Sequence, residues 1–103
     1  MMLELARPCS PGEHSPRLSR LTLHLQARLL DFDPGGPQVL SCDPEAGRVA
    51  ARFPGHETGQ VLDRLAQRGF SAAPEAGCAV FYLSPNLRFE DLDRLWGTLY
   101  EIL

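Results

Sequence analysis

Residues 78–83, with the sequence CAVFYL, are nearly all apolar and rich in residues that favour β-strands. A glycine precedes this run and a Ser-Pro-Asn turn follows it, which indicates a short strand covered by other elements. We therefore expect it to lie at the centre of a sheet. Neighbouring side chains on a strand point to opposite faces, so either Phe81 and Leu83 or Val80 and Tyr82 should face the helices.

Three amphipathic helices are predicted from apolar residues at helical spacing. The first spans about residues 16 to 30, the second begins near Thr58 and ends at Gly69, and the third begins near Glu90. Their buried positions are Leu18, Leu21, Leu25 and Leu29 in the first, Val61, Leu62 and Leu65 in the second, and Leu92, Leu95, Trp96 and Leu99 in the third.

Three further strands are predicted, at residues 39–42, 48–53 and 70–72. The element order is then α-β-β-α-β-β-α with short links. This order is typical of an α+β domain, an open antiparallel or mixed sheet of about four strands with the helices packed on one face. Residues 1–15 contain prolines and a glycine and show no apolar period, which predicts a flexible N-terminal arm before a single domain at residues 16–103.

Composition limits the function. The chain has 103 residues and a formal net charge of −3, which disfavours nucleic acid and anionic membrane as partners. No apolar run approaches the roughly 20 residues that span a bilayer. The 3 cysteines are widely spaced, which favours reduced thiols and a cytoplasmic location. All 10 basic residues are arginine, so no side chain can form a Schiff base.

The stretch VLDRLAQRGFSAAPEAGCAVFYLSPNLRFEDLDRLWGTLYEIL, residues 61–103, resembles the C-terminal small domain of class V aminotransferases and cysteine desulfurases, which are fold-type I pyridoxal-phosphate enzymes. The helix exit LAQRGF and the segment FYLSPNLRFEDLDRL carry the resemblance. The upstream helix and the RVAARF strand fit the same scheme more loosely. The resemblance implies an aminotransferase-like fold from about residue 16 onward.

The resemblance also implies that catalytic residues are missing. In this family the cofactor lysine, the aspartate at the pyridine nitrogen and the ring-stacking residue belong to the large domain. Cys78 stands where the small domain usually carries a substrate-binding arginine, and a thiol cannot make that two-pronged, charge-assisted bond. The loop at residues 73–77 lacks the nucleophilic cysteine of the desulfurases. We therefore expect no catalytic residue, no cofactor and no enzymatic activity from the chain by itself.

Other reactive side chains have structural interpretations. Cys78 is best explained as a small buried residue on a strand, because nothing near it in sequence would activate a thiol. Cys42 precedes Asp43-Pro44 at a strand end, where a surface or half-buried thiol explains it equally well. A zinc site would have to draw on Cys9, His14, His24, Cys42 and His56, which lack the paired spacing of structural zinc ligands. The arginines of the first helix and of residues 48–52 are expected to be solvated and paired with carboxylates rather than to bind a ligand.

A binding or assembly module is the function that these observations favour. Two alternatives stay open: the small subunit of a split pyridoxal-phosphate enzyme, and a ferredoxin-like regulatory domain for a small ligand. A domain shaped to lie against a larger one should expose apolar surface, and its partner would be another protein or a second copy. Leu23, Trp96, Leu99 and Tyr100 are the residues predicted at that interface.

Overall fold

The computed structural model describes residues 3–5, 16–32 and 36–103. Its elements are β1 (Leu3–Leu5), α1 (Pro16–Leu30), β2 (Gln38–Asp43), β3 (Arg48–Arg52), α2 (Thr58–Gln67), β4 (Phe70–Glu75), β5 (Cys78–Tyr82) and α3 (Phe89–Ile102). From α1 onward this is the predicted order, and the α+β fold class is confirmed.

The sheet has the strand order β1-β4-β5-β3-β2, so the CAVFYL strand, β5, is central as predicted. The pairs β4–β5, β5–β3 and β3–β2 are antiparallel. The predicted flexible arm is wrong for β1, which pairs with β4 in parallel and places Leu5 in the core with no exposed surface. Burying that leucine on the outer edge of β4 explains the added strand. Residues 1–2 and 6–15 of the predicted arm lie outside the described residues.

The hydrophobic core lies between one face of the sheet and the helices. Phe81 and Leu83 belong to it, so of the two pairs predicted for β5 this is the pair that faces the helices. The leucines predicted for the α1 stripe are all buried there as well. Val80 and Ala50 are opposite each other on β5 and β3 and are also buried, although they lie outside this core cluster. Both faces of the central strands are therefore shielded.

Gly47 lets α1 approach the end of the sheet closely. Its φ of +69° lies in the left-handed region, and a Cβ at this position would lie 2.8 Å from Leu18 Cδ1. The Gly47 carbonyl accepts a 2.7 Å hydrogen bond from the Leu83 backbone N–H. The turn between β2 and β3 thus holds β5 by a backbone bond and α1 by direct packing.

A two-residue turn at Ala76 and Gly77 joins β4 to β5. Both residues have positive φ, 49° and 80°, as a type I′ hairpin requires. The loop expected at residues 73–77 is therefore shorter than predicted, because Ala73, Pro74 and Glu75 pair with β5. Strand pairing begins directly at the turn and leaves no loop that could carry a catalytic cysteine.

Candidate binding surface

The helices α1 and α3 lie side by side and run in the same direction, and a shared carboxylate joins them. His24 Nε2 and Arg28 Nε each donate to Asp93 Oδ1 at 2.9 Å. The hydrogen bond from His24 is the main cause that holds the pKa of Asp93 below its ordinary value, and Arg28 adds a hydrogen bond and its charge, while partial burial works in the opposite direction. This cluster fixes the two helices to each other.

Aromatic rings extend the same contact toward the end of α1. Phe32 lies 5.9 Å from Trp96 and 5.8 Å from Tyr100, measured between ring centroids. The Arg28 guanidinium lies over the Trp96 ring at 5.4 Å, a cation–π contact. Trp96 is half-buried by these neighbours, and its buried indole N–H has no hydrogen-bond partner among the residues that the structure describes. Contacts within the chain therefore cover most of the apolar surface of Trp96.

The four residues predicted at an interface differ in how exposed they are in the structure. Leu99 has no exposed surface and belongs to the core, so its prediction as a contact residue is wrong: it continues the buried row of Leu92 and Leu95 on α3. Trp96 is held by its intramolecular contacts. Leu23 and Tyr100 are 49% and 59% exposed, which leaves both available to a partner.

Leu23 does not share a surface with Tyr100. The side of α1 that carries His24 and Arg28 contacts α3, whereas Ser19 Oγ on another side donates to the carbonyl of Pro44 after β2. At 3.6 residues per turn, Leu23 lies on the Ser19 side. Tyr100 contacts Phe32 and Trp96 at the other helix.

Two further exposed leucines lie on α1 and on the edge strand β2 that it contacts. Leu30, 60% exposed, follows Leu23 by two helical turns on the same side of α1, and Leu40 on β2 is 53% exposed. We call Leu23, Leu30 and Leu40 the apolar edge. The sequence prediction missed Leu30 and Leu40. The seven-residue spacing of Leu23 and Leu30, off the buried stripe of α1, was the signal that could have found the first.

The two thiols within the described residues, Cys42 and Cys78, show no sign of activation. Cys78 Sγ donates to the carbonyl of Glu75 across the hairpin turn, and no base contacts it among the described contacts. Burial raises the pKa of the Cys42 thiol, and the neighbouring charge of Asp43 raises it further. Both effects oppose thiolate formation at neutral pH, so the described arrangement is poorly suited to nucleophilic catalysis at Cys42.

Metal-ligating side chains are not gathered in the part of the chain that the structure describes, where no cluster of three or more histidine, cysteine, aspartate or glutamate side chains is found. Cys9 and His14 of the candidate zinc set lie outside that part.

Among the arginines considered for a basic face, partners within the chain are seen for Arg17, Arg28, Arg48 and Arg52. Arg17 donates to the carbonyls of Pro85 and Leu87, at 3.0 and 2.9 Å. On β3, Arg48 donates to Ser41 Oγ and Arg52 to Gln38 Oε1. Among the contacts between described residues, Arg28 is the one of these side chains that reaches carboxylates, those of Asp93 and Asp31. The prediction of carboxylate pairing thus holds for Arg28, while the β3 arginines bind neutral oxygens.

One cleft of about 300 Å³ lies between α2 and β4. Its lining is largely apolar, including Leu62, Ala72 and Pro74, with Asp63 and Ser71 as polar groups. The lining offers no cation for an anionic ligand, and no hydrogen bond joins Ser71 to Asp63 among the described contacts. Chemically it suits an apolar group rather than a reacting substrate.

None of the helices within the described ranges has the length and apolar character of a bilayer-spanning segment.

The fold is that of an aminotransferase-like α+β domain, of the kind found in class V aminotransferases and cysteine desulfurases. A crystal structure of glycine decarboxylase (P-protein) of the glycine cleavage system, in inhibitor-bound form, matches 88% of the chain with a TM-score of 0.73 and 26% sequence identity. A NifS-like protein matches 84% with a TM-score of 0.71 and 14% identity, which is evidence for the fold alone. The resemblance predicted from the sequence is confirmed.

The chain spans 22% of the glycine decarboxylase chain and 27% of the NifS-like chain. No family model matches the chain, and no curated protein matches it.

Proposed function

We propose that the chain is a non-catalytic aminotransferase-like domain that works by binding another protein surface. The observation that carries this proposal is the apolar edge, whose three leucines, on α1 and on the edge strand β2 that α1 contacts, are each about half exposed or more. Exposed leucines scattered singly need no explanation, but a group on one side of a small domain marks a candidate contact. Covering these side chains would remove apolar area from water, which is the main driving force of association.

The chemistry of the side chains supports a binding role over catalysis. The sequence has no lysine, and arginine cannot replace it in imine chemistry because it stays protonated. At the start of β5, where the related enzymes are expected to carry an arginine, Cys78 instead bonds to its own hairpin. The nearby arginines are occupied with neutral oxygens on β2.

The first test adds pyridoxal phosphate to the purified chain. We expect no saturable absorbance change and no shift in thermal midpoint, because the side chains offer no amine. The purified chain still has an α-amino group that could react with pyridoxal phosphate, so an N-acetylated sample serves as the control. A saturable change that survives acetylation would contradict the non-catalytic proposal and favour a share in a cofactor site.

The second test is sedimentation velocity over a wide concentration range. An exposed apolar surface with no partner present should produce reversible, concentration-dependent association. A chain that sediments as a monomer at its highest soluble concentration would contradict the proposed binding function, and an independent small-ligand domain would then be favoured.

A further inference from the structure

We propose that the partner of the apolar edge is a second copy of this chain, joined by antiparallel pairing of β2 with β2 about a twofold axis between Leu40 and Ser41. This inference rests on the proposed binding function and names its surface and partner. It follows from three features: an available strand edge, a bulge that sets the register, and a helix whose exposed leucines share the same centre.

The outer edge of β2 has no strand partner among the described elements. β2 is the last strand of the sheet, and its six residues pair with β3 on one side only. The backbone N–H and C=O groups on its other side form a template for another strand. Pairing with a second copy would join the two sheets into one continuous sheet.

The bulge in β2 determines which register is allowed. The pairing with β3 shifts between Val39 and Ser41, so Leu40 is an extra residue. As a result Val39 and Cys42 both pack toward the core, although an uninterrupted strand would place them on opposite faces. Gln38 and Asp43 are both on the other face, where they lie opposite Arg52 and Arg48 of β3.

Residues directly opposite each other in an antiparallel pair share a face. With the axis between Leu40 and Ser41, Val39 lies opposite Cys42 of the second copy and Gln38 lies opposite Asp43, so both of these pairs match. An axis through Leu40 would instead place Val39 opposite Ser41, on the wrong face. The bulge therefore allows all six residues of β2 to pair with a second copy while Val39 and Cys42 stay on the same face.

The exposed leucines of α1 are centred at the same distance along the molecule as the proposed axis on β2. Ser19 of α1 contacts Pro44, just beyond β2, and the two elements run in opposite directions. From that contact, the midpoint of Leu23 and Leu30 is about 11 Å along the helix and the midpoint of Leu40 and Ser41 is about 12 Å along the strand. One axis can thus pass through both layers, and it places Leu23 of each copy against Leu30 of the other.

The charges along this edge are compatible with self-pairing. On β2 the charged side chain is Asp43, and the Ser19 side of α1 carries Leu23, Gln26 and Leu30. In the proposed register Asp43 meets the Gln38 amide of the second copy, beside the Arg52 guanidinium that donates to that amide. No like charges lie opposite each other, which removes a common obstacle to strand pairing.

The contact area sets the expected affinity. A strand edge about 20 Å long and two layers about 20 Å deep give a footprint of about 400 Å² per copy. The total of about 800 Å² is below the roughly 1,200–2,000 Å² of stable interfaces, so the complex should be weak and reversible. We therefore expect a dimer that forms and dissociates with concentration rather than a permanent one.

The test compares charge variants by sedimentation velocity, with circular dichroism to confirm that each is folded. Leu40→Lys places two ammonium groups beside the axis and should weaken association about tenfold or more. Tyr100→Glu is the matched control, because this exposed residue lies on α3 away from the edge, and it should leave association unchanged.

A charge exchange tests the symmetry itself. Leu23→Glu and Leu30→Arg should each weaken association, and the double variant should recover it because each new carboxylate faces a new guanidinium across the axis. Parent-like association in Leu40→Lys, loss in Tyr100→Glu, or no recovery in the double variant overturns this inference. Association that persists through another surface would still leave the proposed binding function standing, so the two can fail separately.

Discussion

Replacing Gly47 with alanine should destabilise the domain through two separate effects. The residue has a φ of +69°, and an alanine in the left-handed region costs about 1–2 kcal/mol. The added Cβ would also lie 2.8 Å from Leu18 Cδ1 and 3.0 Å from the Leu83 carbonyl oxygen. Leu18 is fully buried in the core, so it cannot move aside freely, and overpacking of this kind costs about 1–3 kcal/mol.

The total for Gly47→Ala is therefore about 2–5 kcal/mol, a large part of the roughly 5–15 kcal/mol that stabilises a domain. Gly55→Ala is the matched control. Gly55 also has a positive φ, +81°, but a Cβ there would have no atom within 4 Å. It should show only the backbone cost, so the difference between the two variants isolates the packing against Leu18 and Leu83.

Urea or thermal unfolding by circular dichroism measures both variants. For a domain of about 100 residues, each kcal/mol lowers the thermal midpoint by about 4–8 °C, so the two should differ by roughly 10 °C. In a Leu18→Ala background the cost of Gly47→Ala should shrink, because part of the clash is gone. Equal losses from Gly47→Ala and Gly55→Ala would refute the close approach of α1 to this turn.

Two further predictions concern the core and the α1–α3 contact. Phe81→Ala should lower the free energy of unfolding by about 3–5 kcal/mol and leave little folded protein. Phe89→Ala, at a partly exposed ring, should lower it less and serves as the control. If Phe81→Ala were as stable as the parent in urea, β5 would not be central. Because the pKa of Asp93 is lowered in the fold, its contribution is present above about pH 4 and is lost as the pH falls through the lowered pKa. Asp93→Asn should therefore be less stable than the parent at neutral pH, and the gap should close in acid; a gap independent of pH would contradict the role of its charge.

Local sequence patterns determined most of the elements. The α1 helix has the predicted bounds, because a proline start, a regular leucine stripe and a Pro-Gly-rich stop are all encoded within the segment itself. Gly69 ends α2 with a φ of +91°, as its position after the last apolar residue indicated. The apolar run of β5 likewise identified the central strand without reference to its neighbours.

Tertiary structure decided which apolar residues became surface. Leu99 and Leu23 are both helix leucines, but Leu99 belongs to the buried row of α3, whereas Leu23 lies off the buried stripe of α1 and is about half exposed. Which part of each helix is covered depends on where α1 and α3 are placed over the sheet. The sequence could not supply that placement, because helical spacing defines a face but not what covers it.

Long-range pairing also decided the ends of the sheet. β1 is too short to show a period of its own, and it is a strand because β4 offers an edge that can bury Leu5. The bulge at Leu40 arises from the pairing of β2 with β3, not from any glycine or proline at that position. Periodicity within a segment is a local property that the sequence carries directly, whereas strand neighbours and registers depend on contacts between distant residues that form only when the chain folds.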